Sequence, residues 1–372
     1  MTATQESLET GLDGLLDAPA AAPGGGGVDG PAGGDGGGGG GDGRHAGAPA
    51  PTDRRRMKII IAILLVLLLL VAAVLAWYLI NRKPLSQLPG VSQEAMPHYA
   101  MSIYQVSAPI DVAVTPDGSR IYVTQSEGPR VVAMFDASGN SVGTFTAPRV
   151  AGKGHIPVYL AINPQTGQVW VTDRLTQQIY VYSANGAFVR TFVSPTMPKH
   201  WQPMGIAFDK AGNLYVTDVS GTDHRLLVFD PSGKLTRTIT AKDPLSFPNG
   251  VAIDDQGRIA VADSNNGRLV VFGQDGRLLD SVNRGVGNGD LGLPRGVTFD
   301  SDGRLYVVDT TNQAINVYRL KDDASGVDFV GTFGDQGIGD GMFQYPNGIA
   351  TDDHGRVYVT DRANDRLQIW SF

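Results

Sequence analysis

Six of the 22 prolines, Pro109, Pro157, Pro203, Pro248, Pro294 and Pro346, are followed by residues of two chemical kinds. Ile110, Val158 and Met204 are apolar, whereas Asn249, Arg295 and Asn347 offer two amides and a guanidinium. A guanidinium presents a fork of donors that suits a carboxylate or a phosphate. Five aspartates, Asp173, Asp218, Asp263, Asp309 and Asp361, each close a short apolar run. Carboxylates recurring in this way suit calcium ligation or acid–base work, and His155 and His200 would add metal ligands. Which of these groups meet depends on the elements that carry them.

Those elements repeat. The stretch over residues 201–239, WQPMGIAFDKAGNLYVTDVSGTDHRLLVFDPSGKLTRTI, holds four apolar runs, at residues 205–208, 214–217, 226–229 and 235–239. The runs are too short for helices and rich in β-branched and aromatic residues, so they read as strands. Turns ending in Gly212 and Gly233 join the outer pairs, as hairpin loops with positive φ require. Six copies align on the first turn through Gly118, Gly167, Gly212, Gly257, Gly303 and Gly355, at intervals of 49, 45, 45, 46 and 52 residues. Four strands per unit of some forty-odd residues mark the blade of a β-propeller. The fold class is therefore all-β, a six-bladed β-propeller over residues 99–372. The sixth copy lacks a fourth strand, and the run MSIYQV at residues 101–106 precedes the first copy unassigned. Supplied to blade six, that N-terminal strand would pair an exposed sheet edge and close the ring.

Ahead of the ring the chain divides into three parts. Residues 1–53 carry eight Asp/Glu against one Arg, with fifteen glycines between Gly24 and Gly47. A segment of that composition is expected to be a disordered cytoplasmic tail. Residues 59–80 are 22 uncharged residues, sixteen of them Leu, Ile or Val. As a helix they extend about 33 Å, enough for a hydrocarbon core of about 30 Å. Arg54, Arg55, Arg56 and Lys58 precede this stretch, against Arg82 and Lys83 after it. The positive-inside bias then predicts one transmembrane helix (residues 54–80 with its basic flank), the N-terminus cytoplasmic and the propeller outside. Residues 81–98, with three prolines, read as a spacer.

The pattern Pro-x-Gly-[Ile/Val]-[Ala/Thr]-x-Asp, Gly-x-[Leu/Ile/Val]-Tyr-Val-[Thr/Val]-Asp, Arg-Leu-x-[Val/Ile] resembles the NHL repeat. It stands as PMGIAFD, GNLYVTD and RLLVF in copy three and as PNGIATD, GRVYVTD and RLQIW in copy six. Copies one and two depart most, with Gln125 in place of the aspartate and no glycine in PID and PVY. The resemblance implies the propeller fold and leaves function open. Animal members are often RING ubiquitin ligases or RNA binders, and this chain has no cysteine for a RING. Propeller lactonases and a peptide-amidating lyase bind metal at the ring axis. The layout of one span and an outer propeller looks most like the sensor propellers of bacterial receptor kinases.

In a propeller the residue entering each innermost strand lines the mouth of the central channel. Ile110, Val158, Met204, Asn249, Arg295 and Asn347 are thus the candidate ligand-binding set, an apolar arc facing a polar one. A metal site needs converging carboxylates or imidazoles; these six positions have none, and Arg295 repels a cation. No metal, cofactor or catalytic residue is assigned. The five aspartates fall at equivalent strand ends around the ring, far apart, where carboxylates accept backbone N–H groups at turns. His155 and His200 lie in connecting loops and lack a carboxylate at matching spacing. The glycine runs at 284–292 and 334–341 neither follow the phosphate-loop pattern nor open a helix. The ring carries 23 Lys/Arg against 28 Asp/Glu, net −5, which argues against a nucleic-acid partner. Two functions follow: a membrane-anchored extracytoplasmic propeller binding a partner protein or small anionic ligand outside the cell, or a lyase or hydrolase of the cell envelope.

Overall fold

The computed structural model describes residues 51–81 and 95–372, apart from residues 151, 153, 286, 324 and 325. The chain forms two units, Met1–Ile80 and Asn81–Phe372. The expected tail (residues 1–53, all but its last three) and most of the spacer lie outside the described residues.

In the first unit, helix α1 runs over Pro51–Asn81. Its side chains are described at residues 57–73, and all of them are exposed. Those 17 residues extend about 25 Å at about 1.5 Å each. Among the described residues no helix is long and apolar enough to cross a membrane.

Among the described residues, the second unit forms six four-stranded antiparallel sheets, spanning residues 109–145, 157–191, 203–239, 248–282, 294–333 and 346–371. The first five sheets run in chain order from the axis outwards. The sixth has three strands of its own, Pro346–Thr351, Val357–Asp361 and Arg366–Ser371, and takes its fourth from His98–Ile103. That strand pairs antiparallel with Arg366–Ser371, placing Tyr99 opposite Trp370 and Ile103 opposite Leu367. Ring closure is as expected, but the strand starts three residues earlier and ends before Tyr104. The reason lies in packing: Tyr99 meets Trp370 edge-on, ring centroids 6.1 Å apart, whereas Tyr104 is exposed.

Second and third strands are apolar on both faces because each sheet is covered twice. Six separate clusters fill the six spaces between neighbouring blades. The closing cluster joins Ile103, Leu367 and Ile369 of blade six to Val112, Ile121 and Phe135 of blade one. A hydroxyl reinforces several of these joints. Thr124 Oγ1 accepts from the Asp111 amide at 2.9 Å and donates to the Val158 carbonyl of the next blade at 2.7 Å. Thr217 does the same between Gly205 and Asn249, and Thr360 between Gly348 and Ile110. The Thr just before Gln125, Asp218 and Asp361 is thus a clasp between blades, and in blades four and five Ser264 and Thr310, just after the aspartate, reach the Pro294 and Pro346 carbonyls instead.

At the axis, the innermost strands approach until there is no room for a side chain. A Cβ on Gly205 would sit 1.8 Å from the Asn249 carbonyl oxygen, and one on Gly348 would sit 2.7 Å from that of Ile110. Glycine at the third strand position is a steric requirement of this approach. Blades one and two have Asp111 and Tyr159 there instead.

Candidate functional site

The six residues that follow the prolines form one layer across the axis, and all are buried, between 2% and 8% exposed. Ile110, Val158 and Met204 pack into a single cluster with Ile156, Tyr159 and Val219, against which Phe247 lies. The apolar arc is thus packed together on one side of this layer. The polar arc is buried with it. Asn249 donates from Nδ2 to Ser264 Oγ at 2.7 Å. Its Oδ1 and that of Asn347 are buried without a hydrogen-bond partner among the described residues. Arg295 stands between them in blade order. Burial lowers its pKa; the neighbouring Tyr159 phenol opposes the shift and Arg362 adds to it.

Beneath this layer a channel of about 280 Å³ follows the axis, walled by the third to sixth residues of the innermost strands. It reaches Pro116 and Pro164 in the hairpin turns, so it opens on the face opposite this layer. At its inner end are Asp111 and Tyr159, the two side chains that replace glycine. Asp111 is 8% exposed, and its Oδ2 accepts from the Leu160 amide at 3.1 Å. Burial pushes its carboxyl up to about 8, against the pull of the Leu160 and Val112 amides. Burial also raises the Tyr159 phenol, which Arg295 opposes and Asp111 reinforces. Sequence reading by the residue after each proline missed Asp111 by one position. The available signal was the loss of glycine in PID and PVY, visible as a departure from the repeat and not read as a site.

The recurring aspartates pin the loops that enter each innermost strand. Asp218 accepts from the Gln202 amide, Asp263 from Ser246, Asp309 from Gly292 and Leu293, and Asp361 from Gln344, all within 3.1 Å. Gln125 does the same for Ser107 at 2.8 Å, which explains why blade one manages without the carboxylate. Asp218, Asp263 and Asp361 are also held by Arg225, Arg268 and Arg366. These are structural carboxylates, saturated by donors. His155 is engaged at both ring nitrogens, 3.2 Å from Asp173 and 2.9 Å from the Pro148 carbonyl. His200 is exposed and its carbonyl oxygen binds Ser220 and Arg225. Among the described residues no three His, Asp or Glu side chains could hold one metal ion.

The family model matches within the ring. The NHL repeat model matches residues 245–272, 291–318 and 343–370, the first three strands of blades four, five and six. Protein brain tumor of Drosophila melanogaster is 31% identical over 126 residues, 33% of this chain. The match spans 12% of that protein's length. Among solved structures, virginiamycin B lyase from Staphylococcus aureus aligns with a TM-score of 0.50 at 14% identity, covering 74% of this chain and 99% of the lyase. The RRP9 WD40 repeats align at 0.53 and 13% identity, covering 74% of this chain and 99% of theirs. At such identities the likeness is one of fold: an enzyme and a WD40 propeller share it equally.

Proposed function

We propose that this six-bladed propeller with NHL repeats is a binding module, held outside the cytoplasm by α1, that recognises a partner protein or small anionic ligand at the axial layer of residues after the prolines. One observation carries the reading. Asn249 Oδ1 and Asn347 Oδ1, in blades four and six, are buried with no protein hydrogen-bond partner among the described residues, and Arg295 of blade five lies between them. Buried polar atoms are paired in the great majority of proteins, so two unpaired acceptors at equivalent positions call for an occupant. A ligand with N–H or O–H donors for the amides, an anionic group for Arg295 and an apolar body against Ile110, Val158 and Met204 satisfies all six positions. An acidic peptide segment or an amphipathic carboxylate has that chemistry.

The anchoring half of the proposal rests on the sequence. The described face of α1 is apolar on every side, from Ile59 to Val71. A helix without a polar face needs a protein core or a bilayer around it. Arg54, Arg55, Arg56 and Lys58 at its start favour the orientation that leaves the ring outside. The test is a ligand and pull-down screen of the full-length chain, followed by variants of that layer. A charge-assisted bond contributes about 1.5–3 kcal/mol, so Arg295→Ala should weaken a true ligand by about ten- to a hundredfold. Arg295→Lys should recover part of the loss, since the fork is gone but the charge remains. A ligand whose affinity ignores Arg295→Ala would remove that layer from consideration and move the search to the loops around Trp201 and Ser220.

A further inference from the structure

The axial channel has no part in the reading above, and its chemistry is of opposite sign. From Asp111 to Val114 at the turn face it spans three strand steps, about 10 Å at about 3.3 Å each. Its walls include Ile162, Phe208, Ile253 and Phe299. Among the described residues no cation pairs with Asp111, whose carboxylate meets only backbone amides. Outside the channel the turns of blades four to six form an acidic rim. Asp254, Asp300 and Asp352 there are held by Arg258, Arg304 and Arg356. Asp322 and Asp353 are exposed and make no ion pair among the described residues.

We infer that the channel is a socket for a basic side chain of a partner polypeptide, which docks on the hairpin-turn face and carries its ammonium or guanidinium to Asp111. A lone buried carboxylate is costly until a cation joins it. A lysine or arginine would lay its aliphatic stem along the Ile and Phe walls, with its charged head at the Asp111 end. The Tyr159 ring adds a face on which a cation can rest. A metal ion would demand several oxygen ligands where the channel supplies one carboxylate. The acidic rim attracts a basic segment before docking.

The socket has a proton signature. Burial keeps Asp111 protonated to about pH 8, so seating a cation at neutral pH expels a proton, and binding tightens as pH rises towards 8. Four elements pack on the innermost strand of blade one: Pro157–Ile162, Pro346–Thr351, Arg120–Gln125 and Val357–Asp361. Of their titratable groups, Tyr159 is at the channel and stays neutral over this range because burial raises it. The Tyr122 hydroxyl points to the Ala184 carbonyl, Tyr358 to Asp352, and Asp361 to Arg366. Arg120 is half-buried at the turn end of its strand.

The experiment is calorimetric titration of the full-length chain with an acetylated, amidated Gly-Gly-Arg-Gly-Gly peptide and its lysine and citrulline counterparts. The arginine or lysine peptide should bind, with the citrulline peptide weaker by at least about tenfold. Repeating the titration in buffers of different ionisation enthalpy should reveal proton release at pH 7. Asp111→Asn should weaken the basic peptide by at least about tenfold and abolish the proton release. Asp322→Asn with Asp353→Asn, on the rim and away from the core, should weaken binding and flatten its salt dependence. No binding by either basic peptide, equal binding of the citrulline peptide, or affinity unchanged in Asp111→Asn would overturn the inference.

Discussion

Replacing Asp111 with asparagine exchanges a group that can ionise for one that cannot, at nearly constant shape. The amide oxygen of asparagine can still accept from the Leu160 amide, which Asp111 Oδ2 does at 3.1 Å. In the unfolded chain the carboxyl titrates near its ordinary value of 3.8, whereas burial raises it to about 8 in the ring. Between those values the folded state holds a proton that the unfolded state has lost. The contribution of this group is therefore fully present below pH 4, falls as pH rises through that window, and levels off above 8. About four units at about 1.4 kcal/mol each set an upper figure of about 6 kcal/mol. Even half of that is a large share of a domain's typical 5–15 kcal/mol. The assay is urea unfolding of the full-length chain and of Asp111→Asn at half-unit intervals from pH 4 to 9. The variant should match the parent at pH 4 and exceed it by several kcal/mol at pH 8, with a flatter profile between. A parent profile that is flat over this window, or a variant with the same slope, would refute the burial of an unpaired carboxylate.

Three further outcomes follow from the architecture. Deleting residues 99–106 should strip blade six of its fourth strand and lower the Tm or cause aggregation, while deleting residues 1–53 should leave the Tm of the ring unchanged. A shortened ring of equal stability would refute closure by the N-terminal strand. Thr360→Val removes the hydroxyl that clasps Gly348 to Ile110 across the closing joint, and should cost about 1–3 kcal/mol by leaving buried backbone groups unpaired; thermal unfolding measures it, and no loss would mean that the clasp is idle. Protease added to intact cells should degrade the propeller and spare the N-terminal tail if α1 spans the membrane in the proposed orientation, and a protected propeller would reverse it.

The fold was legible because the repeat states it six times. Turn glycines at intervals of 49, 45, 45, 46 and 52 residues fix the hairpins, and strands apolar on both faces can only be sandwiched between sheets. The missing strand of blade six was legible from the count alone. Its exact span was not: MSIYQV alternates as well as HYAMSI does, and the choice between them rests on Tyr99 meeting Trp370 across the sheet. No local pattern contains that contact, since 271 positions separate the two rings. The role of the recurring aspartates was legible in kind, because an acidic side chain at a strand end beside a turn has backbone donors within reach.

The axis was harder to read, and the reason is geometric. Which residue of a strand points down a channel depends on how closely six strands converge, and a single strand carries no record of that distance. Counting from the proline picked the second position, where Ile110, Val158 and Met204 pack together. The third position holds glycine in blades three to six because no Cβ fits there: one on Gly250 would sit 2.3 Å from the Arg295 carbonyl oxygen, as at Gly205 and Gly348. Asp111 and Tyr159 break that rule in neighbouring blades. A carboxylate placed where the repeat demands glycine costs stability, and the Leu160 and Val112 amides offset that only in part. Local rules that fail where the rest of the chain obeys them mark functional or strained positions. Asp111 is such a failure, it lines a cavity, and it faces an acidic opening. The departures from the repeat, more than the repeat itself, say where this propeller meets something else.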